Sequence, residues 1–196
     1  MPASRARALA LAQLLALLLA LAGPTARAQP AAAAACMACH GPGGNSAVPA
    51  IPSIAGQPRV FLENQLVLIR EGLRDVPSMK AVMGSLSDEE IVALARHFTA
   101  QSVLVPAGPV QADKRQAGAE VSRRALCATC HLPGYTGQNQ VPRLAGQHEA
   151  YLATTLKMYR DKPDPGRDTA MSAPLYGLND ADLGNLAHYL SQAGRP

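Results

Sequence analysis

The sequence predicts an all-α chain folded as two tandem copies of one small unit. Apolar residues recur at three- and four-residue spacing behind cap residues, and no stretch alternates like a strand. Four short motifs occur twice, in the same order, 90 to 92 residues apart. Aromatic residues make up only 4% of the chain and tryptophan is absent, although 48% is hydrophobic and only 16% charged. Small units filled by aliphatic side chains alone form meagre cores, so something other than side chains is expected to complete them.

The elements follow in chain order. Arg5 and Arg7 precede an apolar run from Ala8 to Ala22, then Gly23, Pro24 and Ala26-Arg27-Ala28. This is the layout of a cleavable secretory signal over residues 1–28, too short for a comfortable membrane span, and it predicts export to the periplasm. The leader takes three of the eighteen Lys and Arg residues and no acid. The remaining chain then carries fifteen basic against fourteen acidic side chains, net +1. Nothing there supplies the dense basic surface of a nucleic-acid binder, and the apolar content argues against disorder.

The first unit is placed at 29–100. Only Gln29 to Ala35 precedes its cysteine motif, enough for a turn or two of helix. A Gly- and Pro-rich loop, 41–57, leads to a middle helix over 58–71 carrying Phe61, Leu62, Leu66 and Ile69. Ser87 and Glu90 form a capping box for a last helix with Ile91, Leu94, Ala95 and Phe98 on one face. A linker with Pro106, Gly108 and Pro109 occupies 101–112, too short and apolar for a flexible tether, so the units are expected to pack together. The second unit, 113–196, repeats the plan: a helix from about Lys114 to Leu126, a loop at 132–147, and a middle helix over 148–160 with Tyr151, Leu152, Leu156 and Tyr159. Asn179 caps a last helix with Leu183, Leu186, Ala187 and Leu190 on its face.

The chemistry lies in the four cysteines. Cys36-Met37-Ala38-Cys39-His40 and Cys127-Ala128-Thr129-Cys130-His131 each set a histidine directly behind a C-x-x-C pair. Disulfides or a zinc site would use the thiols, but neither requires that histidine, and pairs 91 residues apart lie outside zinc-ribbon spacing. Covalent attachment of haem does require it: two thiols add to the vinyl groups and the adjacent imidazole reaches the iron. The rest of the chain repeats with the cysteines. Pro52-Ser53-Ile54-Ala55-Gly56-Gln57 matches Pro142-Arg143-Leu144-Ala145-Gly146-Gln147, and Leu86-Ser87-Asp88 matches Leu178-Asn179-Asp180. Met79 and Met171 each stand seven residues before that last motif. Met83 is out of register and reads as core packing. His148 and His188 have no partner that repeats and read as surface residues. His97 stands where the second unit has Tyr189.

With these motifs the chain, from Cys36 to about Leu190, resembles the cytochrome c4 family, periplasmic di-haem proteins built from two class I cytochrome c domains. The resemblance implies two covalently bound haem c groups, one held by Cys36 and Cys39 with axial His40 and Met79, the other by Cys127 and Cys130 with axial His131 and Met171. It implies that the carbonyls of Pro52 and Pro142 accept a hydrogen bond from the ligand imidazoles. Arg70 and Arg160 stand at matching points of the middle helices and are candidate haem-propionate partners. With imidazole and thioether on each iron no open coordination site remains, so the expected function is single-electron transfer in a respiratory chain rather than catalysis. The implied donor is a quinol–cytochrome c reductase or a dehydrogenase and the implied acceptor a terminal oxidase. Peripheral attachment to a membrane stays open. Two alternatives share the motifs: a cytochrome subunit of a periplasmic dehydrogenase, for example one with a flavoprotein partner, and a di-haem peroxidase, against which the matched methionines argue.

Overall fold

A computed structural model describes residues 29–162, 166 and 168–195; the leader assigned to 1–28 lies outside the described residues. Eight α-helices are found among them: α1 Ala33–His40, α2 Arg59–Arg70, α3 Lys80–Met83, α4 Asp88–Thr99, α5 Ala112–Arg124, α6 Cys127–His131, α7 Glu149–Asp161 and α8 Asp180–Gln192. An isolated bridge between Gln138 and Val141 is the only extended pairing among the described residues. None of the described helices is long and apolar enough to cross a membrane. The fold is all-α.

Two separate apolar clusters form. In the first, Leu62 and Ile69 of α2 meet Ile91, Leu94, Ala95 and Phe98 of α4, with Met83 and Leu86 beneath them. In the second, Leu152 and Leu156 of α7 meet Leu183, Leu186, Ala187 and Leu190 of α8, with Val121 and Leu175. These are the helix faces that the 3.6-residue period marks, because only one stripe of each helix can leave water. The last helices begin as expected. Ser87 and Glu90 exchange side-chain and backbone hydrogen bonds, and Asn179 and Asp182 do the same, so each cap satisfies two otherwise unpaired N–H groups.

The two units differ at their entry. In the second, α5 crosses α8 in the most extensive helix pair among the described residues, and Gly118 lies at the crossing. A Cβ at Gly118 would collide with the Asn185 carbonyl and the Tyr189 side chain. The chain then reverses through Leu126, a left-handed residue, into α6. In the first unit α1 absorbs the cysteine motif itself and starts only three residues before Cys36. The position of Tyr189 is taken by His97, whose ring packs edge-on against Phe98 and whose Nε2 is buried without a hydrogen-bond partner.

Residues 101–111 run between the units without forming a helix, held along their length. Asn45 donates to the Ser102 carbonyl and accepts from Leu104 N–H; Arg195 donates to the carbonyls of Pro106 and Gly108. The two units also bond to each other directly. Gln57 Nε2 donates to the Arg143 carbonyl at 3.0 Å, and Gln57 Oε1 accepts from Arg143 N–H at 2.9 Å. Gln147 treats Ser53 in the same way, at 2.8 and 2.9 Å. Ser53 and Arg143 are equivalent positions of the repeat, as are Gln57 and Gln147, so the two amide clasps are reciprocal.

Candidate haem sites

Each cysteine motif is wound into one helical turn, which brings both thiols and the following histidine to one end of α1 or α6. All four thiols are unpaired, Cys39 and Cys130 exposed, Cys127 buried and Cys36 between. Burial pushes the thiols of Cys36 and Cys127 above their ordinary pKa.

The imidazoles sit alike in the two units. His40 Nδ1–H donates to the Pro52 carbonyl at 2.7 Å and His131 Nδ1–H to the Pro142 carbonyl at 2.9 Å. The rings are 8% and 5% exposed, and burial lowers their pKa against the opposing pull of the carbonyl bond. A neutral ring with its proton on Nδ1 keeps the Nε2 lone pair for a metal, and the carbonyl fixes the ring plane while raising its basicity. The proline loops are themselves anchored: Gly56 N–H donates to the Phe98 carbonyl and Gly146 N–H to the Leu190 carbonyl, tying each loop to the last helix of its unit. Met79 and Met171 are half-buried, each packed against the core of its own unit, and Met83 is buried in the first core as read from its register.

This donor set fits a haem in each unit: two unpaired thiols in one turn, an imidazole with one nitrogen occupied by a carbonyl, and a thioether on the core. Cys36, Cys39 and His40 with Met79 would hold one group, and Cys127, Cys130 and His131 with Met171 the other. A bound haem supplies a one-electron Fe(III)/Fe(II) couple. What the chain would contribute is orientation of the imidazole and a soft sulfur donor.

Arg70 donates to Glu71, to Asp88 at 2.8 Å and to the Leu86 carbonyl; Arg160 repeats this with Asp161, with Asp180 at 2.7 Å and with the Leu178 carbonyl. Both guanidinium groups clasp the middle helix to the start of the last helix. Two sequence readings are corrected. His148 is 7% exposed and its Nε2–H donates to the Ser46 carbonyl of the other unit at 2.9 Å. His188 is 1% exposed, donates from Nδ1 to Glu149 at 2.8 Å and accepts from Gln111 N–H at 3.1 Å, so it holds the start of α5. Neither is a surface residue. Period alone missed them because their partners lie 102 and 77 positions away.

Beside Cys127 the second unit has a polar chain that the first lacks. Ser122 Oγ lies 2.8 Å from Tyr135 OH, which donates to Tyr189 OH at 3.4 Å; that bond, with burial, pushes the Tyr189 pKa up to about 12. The repeat puts Gly44 and His97 at the matching positions.

Comparison with known proteins places both units. Residues 116–194 match the family model described as cytochrome c, and residues 23–97 match that described as cytochrome c oxidase, cbb3-type, subunit III. Cytochrome c4 of Azotobacter vinelandii is 32% identical over 176 residues, covering 81% of this chain and 84% of the relative. A thiosulfate dehydrogenase electron acceptor of Thiomonas intermedia is 33% identical, covering 84% and 81%. The crystal structure of reduced cytochrome c4 from Pseudomonas stutzeri superposes with a TM-score of 0.78 at 30% identity, covering 87% of this chain and 99% of that one. Two units of the same build, each with a thiol pair, a carbonyl-held imidazole and a methionine on its core, together with these relatives, make the chain a member of the cytochrome c4 family: a di-haem electron carrier, not an enzyme, with two covalently bound c-type haems.

Proposed function

We propose that this protein receives and delivers single electrons in the periplasm, taking them from a quinol–cytochrome c reductase or a dehydrogenase and passing them to a terminal oxidase. The leader 1–28 is its export signal, and units 29–100 and 113–196, joined by 101–112, each hold one haem. His40 with Met79 and His131 with Met171 are the axial pairs. The observation that carries this reading is the matched pair of imidazole–proline bonds, His40 to Pro52 and His131 to Pro142. Such a bond orients an axial imidazole, and a thioether opposite it favours Fe(II) and raises the potential.

The test is the ferric visible spectrum of the holoprotein. Met79→Ala and Met171→Ala should each remove the sulfur-to-iron charge-transfer band of one haem and leave the other. Both spectra surviving Met79→Ala unchanged would overturn the assignment in the first unit. A second reading, service as acceptor to one dedicated dehydrogenase, is favoured by the resemblance to thiosulfate dehydrogenase electron acceptors. Reduction of the holoprotein by a thiosulfate dehydrogenase faster than by a quinol-oxidising complex would select it.

A further inference from the structure

The two amide clasps do more than join the units. His40 donates to the carbonyl of Pro52, and the N–H of that same peptide unit, on Ser53, donates to Gln147 Oε1. His131 donates to the carbonyl of Pro142, and the N–H of that peptide unit, on Arg143, donates to Gln57 Oε1. Each imidazole is therefore linked through one peptide group to a glutamine of the opposite unit. Gln57, Gln147 and Ser53 are each 5% exposed, so water does not compete for these bonds. The bond from Pro-loop N–H to glutamine oxygen pushes electron density onto the peptide carbonyl, which becomes the stronger acceptor for the imidazole N–H. A stronger acceptor makes the imidazole a better donor to iron and favours the ferric form.

We propose that Gln57 and Gln147 are positioning residues that act crosswise on the two redox centres: Gln147 lowers the potential of the haem in the first unit, and Gln57 that of the haem in the second. This rests on His40 and His131 being axial ligands. The consequence is that each unit sets part of its partner's potential, and disturbing the contact between units alters both centres. The clasp is reciprocal but not identical, since Gln147 Oε1 also accepts from His148 N–H at 3.0 Å while residue 58 is a proline with no N–H to offer.

The test is a redox titration of the holoprotein resolving both midpoints, each assigned to its unit by loss of the Met79 or Met171 signature in the corresponding Met→Ala variant. Gln147→Leu removes the acceptor and should favour the reduced form of the first-unit haem about threefold, a rise of about 28 mV at about 59 mV per tenfold for one electron. The other midpoint should stay in place. Gln57→Leu should do the reverse. Gln147→Glu and Gln57→Glu keep an acceptor oxygen while losing the amide donor, and their crosswise midpoints should not rise; these variants decide the matter if a leucine variant does not mature. A midpoint rise in the haem of the substituted residue's own unit, equal rises in both haems, no rise, or a rise in the glutamate variants equal to that with leucine would each overturn the proposal. Failure of the Met→Ala variants to give separate signatures would instead overturn the ligand assignment on which it stands.

Discussion

Arg70 and Arg160 illustrate what one residue does when two copies of a unit are compared. Each sits at the end of a middle helix, where a basic side chain faces the carbonyl end of the dipole. Each reaches across to the carboxylate that opens the last helix and to the carbonyl two residues before it. Asp161 is held below the ordinary carboxylate pKa chiefly by its hydrogen bond to Arg160, and Asp180 by those to Lys157 and Arg160. A carboxylate with a depressed folded pKa adds stability above its unfolded value near 4 and loses it as pH falls through the folded value. Arg160→Met should thus be less stable than the parent at neutral pH, and the gap should close below about pH 4. Thermal melts of both holoproteins across that range check it; a gap independent of pH would show that the carboxylate pairs contribute nothing. The matching positions of these arginines were legible in the sequence. Their partners were not, because a basic side chain at a helix end suits a propionate or an aspartate equally well, and only packing of α7 against α8 supplies the aspartate.

At the scale of elements, the sequence located the helices well because caps and period report local forces. The Ser87–Glu90 box and the Asn179 cap mark the helix starts at Asp88 and Asp180. It placed the first helix of the second unit two residues late at each end, beginning at Lys114 rather than Ala112, since Gln111 offers no side-chain cap to signal the start. The close crossing of α5 over α8 was invisible to period, because glycine in a helix signals cost without naming the neighbour that requires it. Gly118→Ala should destabilise the holoprotein by about 1–3 kcal/mol, the range for overpacking, since the new methyl group meets backbone of α8 rather than a mobile side chain. Denaturant titration reads this directly. Gly184→Ala, with open space around its Cβ, is the control and should be neutral or stabilising.

For the whole molecule the governing fact is the shortage of aromatic area. Phe98 is the largest fully buried side chain among the described residues, in a chain with two phenylalanines and no tryptophan. Two small aliphatic cores are marginal by themselves, and a covalently attached porphyrin adds flat apolar surface to each without an association cost. Chain in which all four cysteines are replaced by alanine should therefore lack native helix content. Circular dichroism showing native helicity with a cooperative melt would refute this. Replacing Cys127 and Cys130 alone should leave the first unit folded around its haem, because its core does not share residues with the second.

The sequence by itself determined the helices, the duplication and the residues able to hold haem, because cap chemistry, helical period and the spacing of thiols before a histidine are all properties of neighbours along the chain. Tertiary structure alone decided what joins the halves, the glutamine clasps spanning 86 and 94 positions and the bond from His148 to Ser46, and what closes each half on itself, the burial of His188 and the pairing of both arginines with aspartates. Hydrogen-bond partners far apart in sequence are selected by how surfaces meet, and a one-dimensional pattern holds no record of that meeting.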